Sequence, residues 1–237
     1  MQPPVDPDQY LAELKETLLE MGDPEVGEGQ MRYMKGLFAF YGVKAPRWLA
    51  LSKEWFKTKG FFEGDQLAEY VRLSMQDEYR EVHYFAFEMF QRSIKWHSES
   101  AIDLTREWIV SNSWWDTVDW LAKLAGMHFK RFPHLLRPVV EVWIDSDNMW
   151  LQRAAIICQR FHKQQTDEEL LFDCIRKKRD SKEFFIQKGA GWALREYSKV
   201  APEAVLAFVE TEKLPALTKR EALRLMKNSG FHINKKQ

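Results

Sequence analysis

Residues Trp150-Leu-Gln-Arg153-Ala-Ala-Ile-Ile-Cys-Gln-Arg160 align without a gap on Phe185-Ile-Gln-Lys188-Gly-Ala-Gly-Trp-Ala-Leu-Arg195, a period of 35 residues. A weaker copy, Val82-His-Tyr-Phe-Ala86 through Gln91-Arg92, stands 68 residues before the first, about two periods. The copies carry apolar residues at helical spacing. A period in the mid-thirties built from helix pairs indicates a helical solenoid of the HEAT or armadillo kind, in which each unit buries its apolar face on the next. Such a superhelical stack has a concave inner surface, and equivalent positions of successive repeats point toward it. Arg153 and Lys188 are therefore expected to face whatever that surface holds.

Outward from this repeat, the i, i+3, i+4 pattern runs through almost the whole chain, from Tyr10–Met21 to Lys219–Lys227. It predicts helices over Met31–Tyr41 and Thr117–Phe132 among others. Short breaks carry Gly, Pro, Asp, Asn or Ser, and no stretch alternates with period two. The fold class expected is all-α, about a dozen helices with connections of ordinary length. No linker divides the chain, so one repeat domain over residues 1–237 is expected.

Hydrophobic residues make up 45% of the chain and charged residues 30%, which excludes a disordered polymer. No apolar run approaches the ~18 residues of a membrane span, and the start lacks a signal-peptide pattern. A cytoplasmic location and no membrane partner are expected. Cys158 and Cys174 form no CxxC, and the six histidines show neither HxxxH nor HExxH spacing. No metal, cofactor or disulfide framework is expected. Net charge is zero but segregated. Residues 1–30 hold eight acids against Lys15, a net of −7, whereas residues 151–237 carry 18 basic and 11 acidic side chains, a net of +7. A basic face for an anionic polymer is compatible with this distribution. Arg153, Lys188, Arg195 and the cluster Arg176-Lys-Lys-Arg179 are the phosphate-contact candidates.

The segment Ser113-Trp114-Trp115-Asp116-Thr117-Val118-Asp119 concentrates two indoles and two carboxylates. Trp115 and Asp119, four apart, share one helix face. Ser113 and Asp116 have capping-box-like spacing, which gives Asp116 an ordinary task at the helix start. Asp119 lies in the second turn, where helix-end donors offer it little. A surface pair with Lys123 is its bland alternative. Trp192 stands between repeat positions with Gly189 and Gly191, which cost roughly 1 kcal/mol each relative to alanine in a helix and so suggest close packing.

Together, Arg32-Tyr33-Met34-Lys35, Ser113 through Asp119, Ser146-Asp-Asn-Met-Trp-Leu-Gln-Arg-Ala-Ala155, Asp167-Glu-Glu-Leu-Leu171, and Ser181-Lys-Glu-Phe-Phe-Ile-Gln-Lys188 through Tyr197 resemble the AlkD family of alkylpurine DNA glycosylases. The resemblance runs from about residue 31 to residue 228; the acidic first thirty residues match least. It implies a one-domain superhelix of HEAT-like repeats that excises cationic N3- and N7-alkylated purines from double-stranded DNA. It further implies a catalytic carboxylate at Asp119, indole partners at Trp115 and Trp192, a DNA-contacting Arg153, and Tyr33 as a further aromatic of the site. At Phe161 the family can carry a lysine. The enzyme implied grips the lesion-bearing backbone without enclosing a flipped base, and a monomer is expected.

The residue types suit that chemistry. A cationic purine is already a good leaving group, so positive charge develops on the sugar as the bond breaks. A carboxylate fixed there stabilises it, and indole faces add cation–π attraction. Two other readings use the same scaffold: a DNA-binding repeat protein without catalysis, and a protein–protein scaffold.

Overall fold

The computed structural model describes residues 6–228. Among them the chain is all-α, with fourteen α-helices and four short 3-10 turns. An isolated bridge between Ala39 and Tyr79 is the β pairing among these residues. The chain packs as two compact units that divide between Leu104 and Thr105.

The first unit contains α1 (Pro7–Met21), α2 (Pro24–Tyr33), α3 (Ala45–Lys59), α4 (Gly64–Met75) and α5 (Arg80–Ser93); α6 follows at Ala101–Ile109. Asp6 and Asp23 cap α1 and α2 through their carboxylates, each followed by a proline whose missing N–H costs a first turn nothing. Tyr10 anchors this core, with the rings of Phe62 at 4.9 Å, Tyr70 at 5.3 Å and Trp55 at 5.9 Å, and its hydroxyl donating to Gly60 O. The helix expected over Met31–Tyr41 is not formed. Helix α2 stops at Tyr33, and Lys35 and Gly36 turn the chain out with φ of 61° and 73°. Met34, Phe40 and Tyr41 are nevertheless buried, so their spacing imitated a helix face while the backbone took another route. That route is held by Glu81, whose buried carboxylate accepts the N–H groups of Tyr41, Gly42 and Val43 at 3.0–3.2 Å.

The second unit comprises α7 (Trp115–Arg131), α8 (Leu136–Asp145), α9 (Met149–Ile157), α10 (Glu168–Lys177), α11 (Phe184–Tyr197), α12 (Pro202–Thr211), α13 (Ala216–Ala222) and α14 (Arg224–Asn228). Helix α7 packs on α9, α9 on α11 and α11 on α13, while α8 and α10 lie against α9 from a second layer. Two layers of helices around one apolar seam are what a helical repeat requires. The seam is filled by Leu121, Phe129, Trp143, Ile156, Ile175 and Leu194, each at most 1% exposed. The sequence period is a structural period too. Gln152 Nε2 donates to Ser146 O at 2.6 Å, and 35 residues later Gln187 Nε2 donates to Ser181 O at 3.0 Å. The entrances to α9 and α11 are thus pinned by the same contact.

Candidate functional site

Helix α7 starts two residues earlier than the periodicity indicates, at Trp115, with the extended Trp114 as its N-cap. The capping box expected of Ser113 and Asp116 is absent. Ser113 Oγ instead donates to Ile109 O at 2.6 Å, the last residue of α6, and no side-chain hydrogen bond caps α7. Asp116 falls in the first helical turn, where a carboxylate complements the helix dipole. Trp115 is half-buried one turn before Asp119.

Asp119 is gripped by Arg153 of α9. Arg153 Nε donates to Oδ1 at 2.8 Å and Nη2 to Oδ2 at 2.9 Å, a two-pronged guanidinium–carboxylate pair. The remaining nitrogen, Nη1, donates to Phe185 O at 2.5 Å. The two side chains are 5% and 15% exposed. The repeat places Arg153 on an inner surface as a phosphate-contact candidate. In the structure each guanidinium nitrogen makes one hydrogen bond within the protein, and Arg153 braces Asp119. Gly189 of α11 leaves room for it, because a Cβ there would stand 3.0 Å from Arg153 Nη1. Gly191 has a separate reason: its Cβ would meet Glu221 Cβ at 2.5 Å, so α11 and α13 approach too closely for alanine. The glycines thus have the close-packing role their helix cost suggests.

Phe185 joins the brace to a cluster of aromatic rings. Trp114, Trp150 and Phe185 form a triangle with centroid separations of 5.0–5.7 Å, and the Arg153 guanidinium lies 5.8 Å from the Phe185 ring. Trp192 is half-buried on α11 and carries the guanidinium of Arg160 on its face, 3.5 Å from the ring centroid. Burial pushes the Arg160 guanidinium down to about 10; Asp119 opposes that shift and Arg153 adds to it. Asp119, Arg153 and Arg160 therefore form one electrostatic cluster bordered by Trp192.

The other sequence candidates lie differently. Lys188 and Arg195 both grip Glu221 of α13, at 2.8 and 2.9 Å, and that carboxylate is held below its usual range by Lys188 first and Arg195 with it. They clamp α11 to α13. In the basic cluster, Arg176 and Arg179 bind Glu212, and Lys177 binds Asp145. Tyr33 ends α2 in the first unit and is 67% exposed. Among the described residues no group of three or more His, Cys, Asp or Glu could hold a metal, and Cys158 and Cys174 are buried free thiols. No helix of these residues is long and apolar enough to cross a membrane.

Arg160 and Phe185, neighbours of the Asp119–Arg153 pair, are not singled out by the sequence. The pair itself is legible in the spacing. Asp119 and Arg153 are 34 residues apart, one repeat, which in stacked helices places an acid beside a base.

An all-α repeat whose half-buried carboxylate stands beside guanidinium groups and aromatic rings suits a protein acting on a polyanion. Comparison with known families makes this specific: residues 14–226 match the model described as DNA alkylation repair enzyme, and the chain belongs to that family. Among solved structures it is similar to a predicted DNA alkylation repair enzyme from Enterococcus faecalis, at 28% identity and a TM-score of 0.83, covering 91% of this chain and 98% of that one. It also shares its fold with AlkD2 from Streptococcus mutans, at 18% identity and a TM-score of 0.62, covering 96% and 99%. No curated protein matches.

Proposed function

We propose that the chain is a DNA glycosylase that hydrolyses the N-glycosidic bond of cationic N3- and N7-alkylated purines in duplex DNA. The observation that carries this reading is the braced carboxylate. Asp119 is fixed at both oxygens by one guanidinium, in a chain of the DNA alkylation repair family. In the reaction, the C1′–N bond pair returns to the purine ring and discharges its positive charge, so the base leaves neutral and needs no general acid. Positive charge grows on the sugar, where a preorganised anion acts without rearranging. Each Asp119 oxygen keeps lone pairs beyond the one that Arg153 uses, enough to orient the water whose oxygen bonds to C1′ and to take up the proton that water releases. Trp115 and Trp192 flank the developing cation with their faces.

The second unit has a cavity of about 450 Å³, lined by Arg160, Phe161, Lys163, Tyr197 and Lys199 among others, and not by Asp119, Trp115 or Trp192. The test is excision from defined duplexes. Release of 7-methylguanine or 3-methyladenine is expected, with little release of uracil, hypoxanthine or 8-oxoguanine, whose departure leaves an anion. Efficient uracil release would overturn the chemistry.

A second reading, a DNA-binding repeat protein without catalysis, draws on the same ion pair: Arg153 and Asp119 join α9 to α7 whether or not chemistry follows. Such a protein would bind methylated duplex and release no base.

A further inference from the structure

Arg160 has buried donors without an acceptor among the described residues. Its Nε and Nη1 are buried and lack a hydrogen-bond partner, and among the described residues no carboxylate pairs with it. Two carboxylates stand close enough to influence it, Asp119 and Glu196. Arg153 holds the first through both oxygens, and Lys199 binds the second at 2.6 Å. Its counterpart one period later, Arg195, has Glu221 at 2.9 Å. A half-buried guanidinium with unsatisfied donors is costly to retain, since each such donor loses its hydration without return. Stacking on Trp192 at 3.5 Å offsets part of that cost but supplies no hydrogen-bond acceptor.

Charge sharpens the problem. Asp119, Arg153 and Arg160 together carry +1, the wrong sign beside a cationic lesion and a sugar that is becoming a cation. One added negative charge at Arg160 would correct it. Arg160 also lines the 450 Å³ cavity, together with Lys163, Lys199 and Glu196, so cations outnumber acids around the space next to it.

We infer that Arg160 is an anion-binding residue whose acceptor arrives with the substrate: a phosphodiester of the bound DNA, received where Arg160 meets the cavity. This rests on the glycosylase reading above and adds a contact to it. The phosphate balances the charge of the guanidinium, neutralises the site before the sugar ionises, and fixes the Trp192 indole beneath Arg160.

Binding of undamaged duplex across a salt series, with Arg160→Met beside wild type, tests this directly. The variant should bind about tenfold more weakly at moderate salt and lose about one unit of salt slope. Without DNA its melting temperature should be equal or higher, because an unsatisfied cation has been removed. Arg160→Lys should restore much of the slope. Arg160→Gln, which keeps a planar polar group over Trp192, is read in the same way should the methionine variant not fold. Unchanged affinity and slope, with a lower melting temperature, would show a structural stack and overturn the inference while leaving the glycosylase reading intact. Inorganic phosphate that raises the melting temperature of wild type but not of Arg160→Met, with duplex affinity equal in both, would assign Arg160 to a free anion instead. A wild-type protein that does not bind duplex at all would overturn both readings.

Discussion

Replacing Arg153 by methionine separates the two roles this residue could have. The guanidinium makes two charge-assisted hydrogen bonds to Asp119 and one to Phe185 O, from a position 5% exposed. Methionine fills much of the same space and leaves Asp119 as a poorly solvated carboxylate without its counter-charge. Breaking a buried pair from one side costs about 3–5 kcal/mol. Asp119 retains 15% exposure, which favours the lower end of that range. The Phe185 carbonyl adds about 1 kcal/mol for its lost donor. A loss of about 3–4 kcal/mol corresponds to a melting temperature lower by roughly 6–16 °C for a chain of this size. Arg153→Lys keeps the charge without the fork and should fall between. Thermal melts followed by tryptophan fluorescence, paired with single-turnover excision, read both consequences, and adding Asp119→Asn to Arg153→Met should recover part of the lost stability. If Arg153→Met melts within a degree or two of wild type and loses a unit of salt slope on undamaged duplex instead, Arg153 holds phosphate. The bracing role would then be refuted.

Asp116→Asn should be mild, costing up to about 1 kcal/mol through the helix dipole and leaving excision near wild type; equal damage from Asp116→Asn and Asp119→Asn would erase the distinction drawn between them. Glu221 is held below its ordinary range by Lys188 and Arg195, so its contribution is present above the usual carboxylate pKa of about 4.3 and is lost as pH falls through its lower folded value. Glu221→Gln should therefore lower the melting temperature at pH 7 and make little difference at pH 2–3, which melts at the two pH values would check. Excision should also extend to bulky cationic N7 adducts. A sharp cutoff at methyl would favour a closed base pocket.

Much of this is legible in the sequence. The 35-residue period returns in the repeated Gln152 and Gln187 contacts, and Trp115 and Asp119 lie one turn apart on a single helix as their spacing indicates. Apolar spacing failed over Met31–Tyr41 because buried side chains on an irregular segment mimic a helix when a distant carboxylate, Glu81, satisfies the backbone. The cations were harder. The repeat points Arg153 and Lys188 toward a concave inner surface, with Arg195 as a further phosphate-contact candidate, and each is bound by an acid from a neighbouring helix. Local sequence does not show such partners, whereas the repeat length does: Arg176 with Glu212 and Lys177 with Asp145 stand 36 and 32 residues apart, again close to one period. Arg160 had no such signal, since what marks it is the lack of an acceptor.

Asp119 is the centre of the account, and single-turnover release of 7-methylguanine from a defined methylated duplex, by wild type and by Asp119→Asn, tests it most directly. The asparagine keeps the shape and removes the charge. Duplex affinity should be retained, while the excision rate should fall by about a hundredfold or more, the size seen when one transition-state contact is removed from a preorganised site. Excision by Asp119→Asn at close to the wild-type rate would contradict the assignment and leave Asp119 as no more than the partner of Arg153.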